Sequence, residues 1–356
     1  MKKRLLAILM VAAMSLSLLA GCSRTDGDLS DTTKSTSSGT ETQKSSSAGN
    51  ETGSDSLKTQ YPLTIETYNV EGKKVSVTFE KAPERIVSTQ LSITELLLKL
   101  GLKDKIVGIM DNDNPVDTGL QAELDDLTSL GYKSTISKEA ILAADPDIVM
   151  GKATLMFTDT AIGTVENYLG LGINVYTLLS SVDVIDQSLD NILQDIRTIG
   201  MIFDVQEAAN AYADSLEQQL NEALKIVSSQ TSGRENMKVI LMCGFQDRTF
   251  GAFSSTMHSA MLEAVNAVNV LDKGGNGLTM ENLIALNPDA IIYITANRFA
   301  ETDADAVERL LSEETIQDVT AIADQKILKI GYDDIMDYGA RIISTTEVLA
   351  NFLYGE

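Results

Sequence analysis

S-K-E-A-I-L-A-A-D-P-D-I-V-M occupies residues 137–150, and T-M-E-N-L-I-A-L-N-P-D-A-I-I-Y occupies residues 279–293. In each, a hydroxyl residue (Ser137 or Thr279) is followed two positions later by Glu. Seven residues after that Glu comes Pro-Asp, and then an apolar run. Glu139 aligns with Glu281 and Pro146 with Pro288, both at an offset of 142 positions. A period this long does not describe a solenoid. It indicates one αβ unit used once in each of two similar lobes. Ser137 and Thr279 are N-cap residues for a short helix, and the Glu falls in the first turn, where the helix dipole favours a negative charge. The Pro stops the helix, because the residue before it is pushed out of the α region. The apolar run is then a short strand buried on both faces, as a parallel sheet requires.

Outward from these units the same alternation continues. Upstream, residues 63–68 and 75–79 alternate as half-exposed strands, with Glu71-Gly72 as the turn. R-I-V-S (85–88) reads as a buried strand, residues 93–101 as a helix closed by Gly101, and K-I-V-G-I (105–109) as a second strand. After the first unit come a helix near 161–169 and the strand I-N-V-Y. Strands alternating with helices indicate a parallel sheet covered on both faces. Between 182 and 229 there is no strand pattern. Ile185, Leu189, Ile192, Ile196 and Ile199 share one helical face; Tyr212, Leu216, Leu220 and Leu224 share another, beyond a break near Asp204. The second of these helices has no internal Gly or Pro and reads as a rigid strut between lobes. The second lobe has a strand at 237–243 that buries Cys243 as an inert thiol. It continues with a helix over 257–268, the second unit, a helix near 306–311, the strand K-I-L-K-I and a last helix over 335–353.

The first 22 residues read as a targeting segment. Lys2, Lys3 and Arg4 precede an apolar run over 5–19, which is short for a membrane span. L-A-G-C (19–22) resembles the bacterial lipobox, which implies a signal peptide over 1–21, removed before an acylated Cys22; an ordinary secretory signal is the alternative. Residues 23–60 include 18 Ser or Thr among 38, with Leu29, Ala48 and Leu57 the only apolar side chains. Such a stretch does not bury enough surface to fold, and as a coil it spans roughly 35 Å. The expected organisation is therefore an acylated tether over 22–60, an N-terminal lobe over 61–204, the linking helix over 205–230 and a C-terminal lobe over 231–356.

The chain has 356 residues and a net charge of −23, which argues against nucleic acid and against electrostatic binding to anionic lipid. Two Cys and one His supply neither a disulfide framework nor a multi-histidine metal site. There is no G-x-x-x-x-G-K-[ST] and no G-x-S-x-G, so neither an ATPase nor a serine hydrolase is indicated. His258 is either a general base or a hydrogen-bonded structural residue.

The body from about residue 64 resembles the helix-hinged substrate-binding proteins of ABC importers. The likeness rests on the order of G-K-K-V-S-V-T-F-E-K-A-P-E-R-I-V (72–87), E-L-L-L-K-L-G-L-K-D-K-I-V-G (95–108), the two Glu-to-Pro-Asp units and the single linking helix. It implies an α/β protein of two Rossmann-like lobes with central parallel sheets, joined by one long rigid helix, with a ligand cleft between them. It implies no enzymatic activity and no intrinsic cofactor. The ligand class is an iron–siderophore complex, haem or cobalamin. The partners are an ABC permease and its ATPase, with the protein monomeric and held outside the cytoplasm on a bacterial membrane by its lipid. Glu139 and Glu281 stand at the positions that pair with permease arginines; helix-end electrostatics alone is the plainer reading. A ligand-sensing lipoprotein without transport remains an alternative. The zinc and manganese branch of such proteins uses several His ligands and is set aside.

Ligands of parallel α/β lobes sit beyond the carboxyl ends of the strands. The loops there contribute Thr89, Gln90, Asp111, Asp113, Met156 and Phe157 from the first lobe. The second contributes Phe245, Arg248, Phe253, Asn297, Arg298, Tyr332, Asp333, Tyr338 and Arg341. Met156 and Phe157 also fit ordinary packing, Asp333 a helix cap, and Arg341 a solvent-facing helix position. Arg248, Arg298 and Arg341 suit an anionic ferric chelate, with Phe157, Phe245, Tyr332 and Tyr338 as stacking surface. A ferric siderophore is therefore favoured over haem, with Tyr or Met ligation, and over cobalamin, whose binders often lean on Trp, a residue this chain lacks.

Overall fold

A computed structural model of the protein describes residues 57–355. Cys22 and most of the expected tether lie outside the described residues. An antiparallel hairpin comes first, β1 (Leu63–Tyr68) with β2 (Lys74–Phe79). Its alternation buries Ile65, Thr67, Val77 and Phe79. The turn uses Gly72 at φ +72, as the Glu71-Gly72 pair predicts.

The first lobe holds β3 (Ile86–Ser88), β4 (Ile106–Ile109), β5 (Ile148–Lys152) and β6 (Asn174–Leu178) in the order β4-β3-β5-β6, all parallel. The second lobe departs from the expected parallel sheet. It contains β7 (Met237–Gln246), β8 (Thr249–Ala252), β9 (Ala267–Asn269), β10 (Gly275–Thr279), β11 (Ala290–Thr295) and β12 (Ile327–Gly331). β9, β7, β11 and β12 are parallel, but β8 and β10 are added antiparallel on one edge. The cause is a two-residue hairpin turn. Asp247 and Arg248 both take positive φ, +50 and +60, the conformation that matches strand twist in tight hairpins.

The repeated unit is present in both lobes. Its helices are Lys138–Ala143 and Met280–Leu286. Ser137 Oγ accepts the Ala140 N–H at 3.2 Å, and in the second copy the Thr279 N–H donates to Asn282 Oδ1 at 2.9 Å. Asp145 and Asn287 then turn into the left-handed region, and the Pro follows. The Asp after each Pro ties the unit to the neighbouring strand. Asp147 accepts the Glu84 and Arg85 N–H groups at 2.8 and 3.0 Å, and Asp289 accepts that of Lys238 at 2.8 Å.

The strut is a 26-residue helix, Gln206–Thr231, about 39 Å long at 1.5 Å per residue. Ala209, Ala213, Leu216, Leu220, Ala223 and Val227 form its buried stripe. It packs on Asp190–Ile202 of the first lobe and on the C-terminal helix Ala340–Tyr354 of the second. The break before it is Asp204, at φ +57. Thr59 donates its N–H to the Asp204 carboxylate at 2.7 Å and its hydroxyl to Met201 O at 2.6 Å. Lys58 and Thr59, expected in the tether, are thus bonded to the first lobe.

Two helix boundaries also differ from expectation. The helix read over 257–268 is Thr256–Ala264, because Asn266 adopts positive φ and the chain continues as β9. The helix read over 335–353 is two, Tyr332–Met336 and Ala340–Tyr354, separated at Tyr338, where φ is +57. Gly339 there lies so close to Ser92 of the first lobe that a Cβ would collide with it.

Candidate ligand site

The carboxyl ends of β3, β4 and β5 meet those of β11 and β12 across the seam between lobes, and the loops there are closely joined. Asp333 Oδ2 accepts the Asp113 and Asn114 N–H groups at 2.8 and 2.6 Å. Asn114 Nδ2 donates to Thr295 O at 2.9 Å, and the Asn297 N–H donates to Asp113 O at 2.9 Å. The Asp113 carboxylate pairs with Lys133 Nζ at 2.6 Å and with Arg298 Nη1 at 2.9 Å, and also accepts the Tyr132 hydroxyl. Lys133 and Arg298 both lie over the Tyr332 ring, 3.9 and 4.5 Å from its centre. Deeper in the seam, Ser92 N–H donates to Asp337 Oδ2 at 3.1 Å. Lys152 Nζ donates to Met336 O and lies 4.6 Å from the Tyr338 ring centre. Burial drives this electrostatics. It lowers the Lys152 and Lys133 ammonium pKa values and raises those of Asp333 and Asp337, while the Tyr332 phenol is pushed up to about 12.

Cavities lie along the seam. One of ≈ 50 Å³ is lined by Gln90, Lys133, Lys152, Met156, Tyr332 and Asp337, among others. The second, of ≈ 750 Å³, opens on the strut side and is lined by Glu95, Tyr212, Lys329, Tyr338 and Arg341, among others. A ligand pocket measures roughly 300–1,000 Å³, so the larger of these two cavities has the volume of an organic chelate as it stands, and the smaller admits one only by widening.

Of the residues expected to line the cleft, Met156, Arg298 and Tyr332 come together with Gln90, Asp111 and Asp113. Tyr338 faces the larger cavity. Three others, Phe157, Phe245 and Arg248, stand elsewhere, and Arg341 lines the larger cavity with its charge already paired. Phe157 is wholly buried in the first lobe, edge-on to Tyr168 with ring centres 6.1 Å apart. Phe245 is buried in the core of the second lobe. Arg248, in the hairpin turn, pairs with Glu313 at 3.0 Å and Thr315 at 2.9 Å. Arg341 reaches the seam but is clamped by both Glu95 oxygens, at 2.8 and 2.6 Å, and by Asp334. It joins the lobes and offers no free charge. Tyr132, Lys133, Lys152 and Asp337 were missed. Lys152 is the last residue of β5, where the strand-end rule applies directly, whereas Tyr132-Lys133 carries no local signal beyond lying in the loop before the first repeated unit.

Glu139 and Glu281 are exposed, each in the first turn of its unit's helix. The Thr279 hydroxyl lowers the Glu281 pKa by hydrogen bonding. Among the described residues, no three His, Cys or carboxylate side chains form a metal cradle, and no helix is long and apolar enough to cross a membrane.

Two α/β lobes on a single long helix, with a seam of polar loops between them, define a bilobal binding protein. The chain belongs to the periplasmic binding protein family, whose profile matches residues 86–333. It is 24% identical to the uncharacterized ABC transporter substrate-binding lipoprotein YvrC of Bacillus subtilis, over 83% of this chain and 86% of that one. It is 23% identical to a cobalamin-binding protein of Halobacterium salinarum, over 79% and 72%. Among solved structures, its fold matches a periplasmic binding protein from Veillonella parvula (TM-score 0.69, 22% identity, 84% of this chain and 93% of that one). It also matches an ABC-type Fe3+-hydroxamate transport system protein from Saccharomonospora viridis (0.67, 24%, 83% and 99%). A periplasmic heme-binding protein, RhuT from a Roseiflexus species, aligns at 0.60 and 21%, over 76% and 98%.

Proposed function

We propose that the protein captures an organic iron chelate, a ferric siderophore before haem or a corrinoid, and delivers it to an ABC permease and its ATPase. The observation that carries this reading is the Tyr332 ring with Lys133 and Arg298 both against it, at the carboxyl ends of strands from two lobes. An aromatic face gives a chelator apolar surface, and two desolvated cations give its anionic oxygens partners. Met156, Arg298, Tyr332 and Tyr338 are retained as contacts, joined by Tyr132 and Lys133. The iron arrives inside its chelator, so the protein needs no ligands of its own for the metal. The relatives that carry iron-hydroxamate, heme or cobalamin support this chemical range.

The YvrC relative is a lipoprotein, which supports acylation at Cys22 and a place on the outer side of the cytoplasmic membrane. Loss of membrane retention in a Cys22→Ala protein checks that assignment. Ligand class is tested by titrating the purified protein with ferric siderophores, haem and cobalamin. There is no Trp, so Tyr fluorescence and melting temperature report binding. Quenching and stabilisation by one class of ferric siderophore is expected. A Soret shift with tight haem binding, and no response to any ferric siderophore, would replace the ligand within the same fold.

A further inference from the structure

The Asp113 carboxylate is shared by donors from both lobes. Its Oδ1 accepts from Arg298 Nη1 at 2.9 Å and from the Tyr132 hydroxyl, and its Oδ2 accepts from Lys133 Nζ at 2.6 Å. The side chain is 6% exposed. Among the described residues, neither Lys133 nor Arg298 has a second carboxylate partner. Two cations and a phenol converging on one carboxylate form a receptor for carboxylate-like oxygens, and here the chain fills it with a residue of its own.

The backbone around Asp113 shows why that occupancy depends on the lobes. Its N–H goes to Asp333, its C=O is held by the Asn297 N–H, and its neighbour Asn114 reaches Thr295; all three partners belong to the second lobe. Tyr132 and Lys133 belong to the first lobe with Asp113, and Arg298 to the second. Separating the lobes leaves Asp113 with Lys133 and Tyr132 and strips Arg298 of its counter-ion. We infer that Asp113 is a specificity-determining residue of the cleft, an internal anion that competes with anionic oxygens of a ligand for Arg298 and Lys133, so that simple anions are excluded and an anionic chelate binds only by displacing it. An uncharged chelate does not compete for Arg298 and leaves the Asp113–Arg298 pair in place, so its affinity does not depend on the Asp113 charge. The inference deepens the proposed function and depends on it for the iron, but not for the anion site.

Asp113→Asn keeps the shape and the backbone bonds while removing the competing charge. Metal-free citrate should raise the melting temperature of Asp113→Asn, less so at high salt, and leave the wild-type protein unchanged. Adding Arg298→Gln should abolish the effect. Ferric citrate should bind Asp113→Asn at least about 10-fold more tightly than wild type, a change of about 1.4 kcal/mol, while an uncharged ferric trihydroxamate binds the two alike. A variant folded by circular dichroism but insensitive to citrate overturns the inference. So does an equal change in affinity for both chelates, since Asp113 would then only hold the lobes together. Citrate stabilisation of the variant, with no ferric chelate binding to either protein, upholds the anion site and removes the iron reading instead. Asp113→Ser carries the same titrations if the Asn variant does not fold.

Discussion

His258 is the chain's one histidine and is buried, with Nε2 3.2 Å from Ile335 O and its ring edge-on to Tyr338 at 5.5 Å. This favours the structural role over the general base. Burial first, with Lys152 nearby, pushes the imidazole down to about 4. A pKa depressed on folding stabilises the native state fully above the unfolded value near 6.5, and that contribution is lost as pH falls toward the folded one. The loss amounts to about 3 kcal/mol between roughly pH 7 and 4. Proton NMR of the single imidazole should show no titration above about pH 5, and His258→Gln should flatten the acid limb of the stability curve. An imidazole titrating near 6.5 would remove this account. At the same scale, the sequence indicates which kinds of residue serve the cleft better than which copies. Arg298 and Tyr332 stand at the strand ends of the seam, with Arg298 paired to Asp113, whereas Arg341 is paired with Glu95 and Asp334 and Arg248 with Glu313. Pairing across a distance of some 246 positions, as between Glu95 and Arg341, leaves no local trace.

At the level of elements, the repeated unit was legible because its determinants are local: a cap, a charge in the first turn, a Pro stop and an apolar strand. The hairpin of β7 and β8 was not. Its turn, Asp247-Arg248, has none of the Gly that marks tight turns, and a run of residues ending in Gly244-Phe245-Gln246 reads as a strand followed by an ordinary loop. The strut was legible from length and periodicity, and it also yields a test. Gln218 lies on its exposed face, bonded only to Glu222 at 3.0 Å. Gln218→Pro removes a backbone hydrogen bond in mid-helix and should cost about 3 kcal/mol or more, whereas Gln218→Ala should stay within about 0.5 kcal/mol. Denaturant unfolding distinguishes them, and equal stability of the two variants would mean that the helix carries no load.

For the whole molecule, the question is how two lobes act together on a third body. Glu139 and Glu281 are matched, exposed, and supplied by the same unit in each lobe. Replacing both with Gln should leave folding and ligand affinity nearly unchanged, because exposed charges contribute little to stability. Chelate-stimulated ATP hydrolysis by a reconstituted transporter should fall by an order of magnitude or more. Normal stimulation by the double variant would leave these residues with helix-end electrostatics alone.

The apolar core also bears on how these lobes come apart. A single cluster runs from Ile86 and Ile148 in the first lobe, through Leu216 and Leu220 of the strut, to Val239, Leu241 and Ile292 in the second. The bilobal outline therefore does not divide the molecule into two melting units. Heat capacity scans of the folded body should give one cooperative peak, with calorimetric and van't Hoff enthalpies equal. Leu220→Ala, which removes packing from the middle of that cluster at a cost of about 2–5 kcal/mol, should shift that peak as a whole without splitting it.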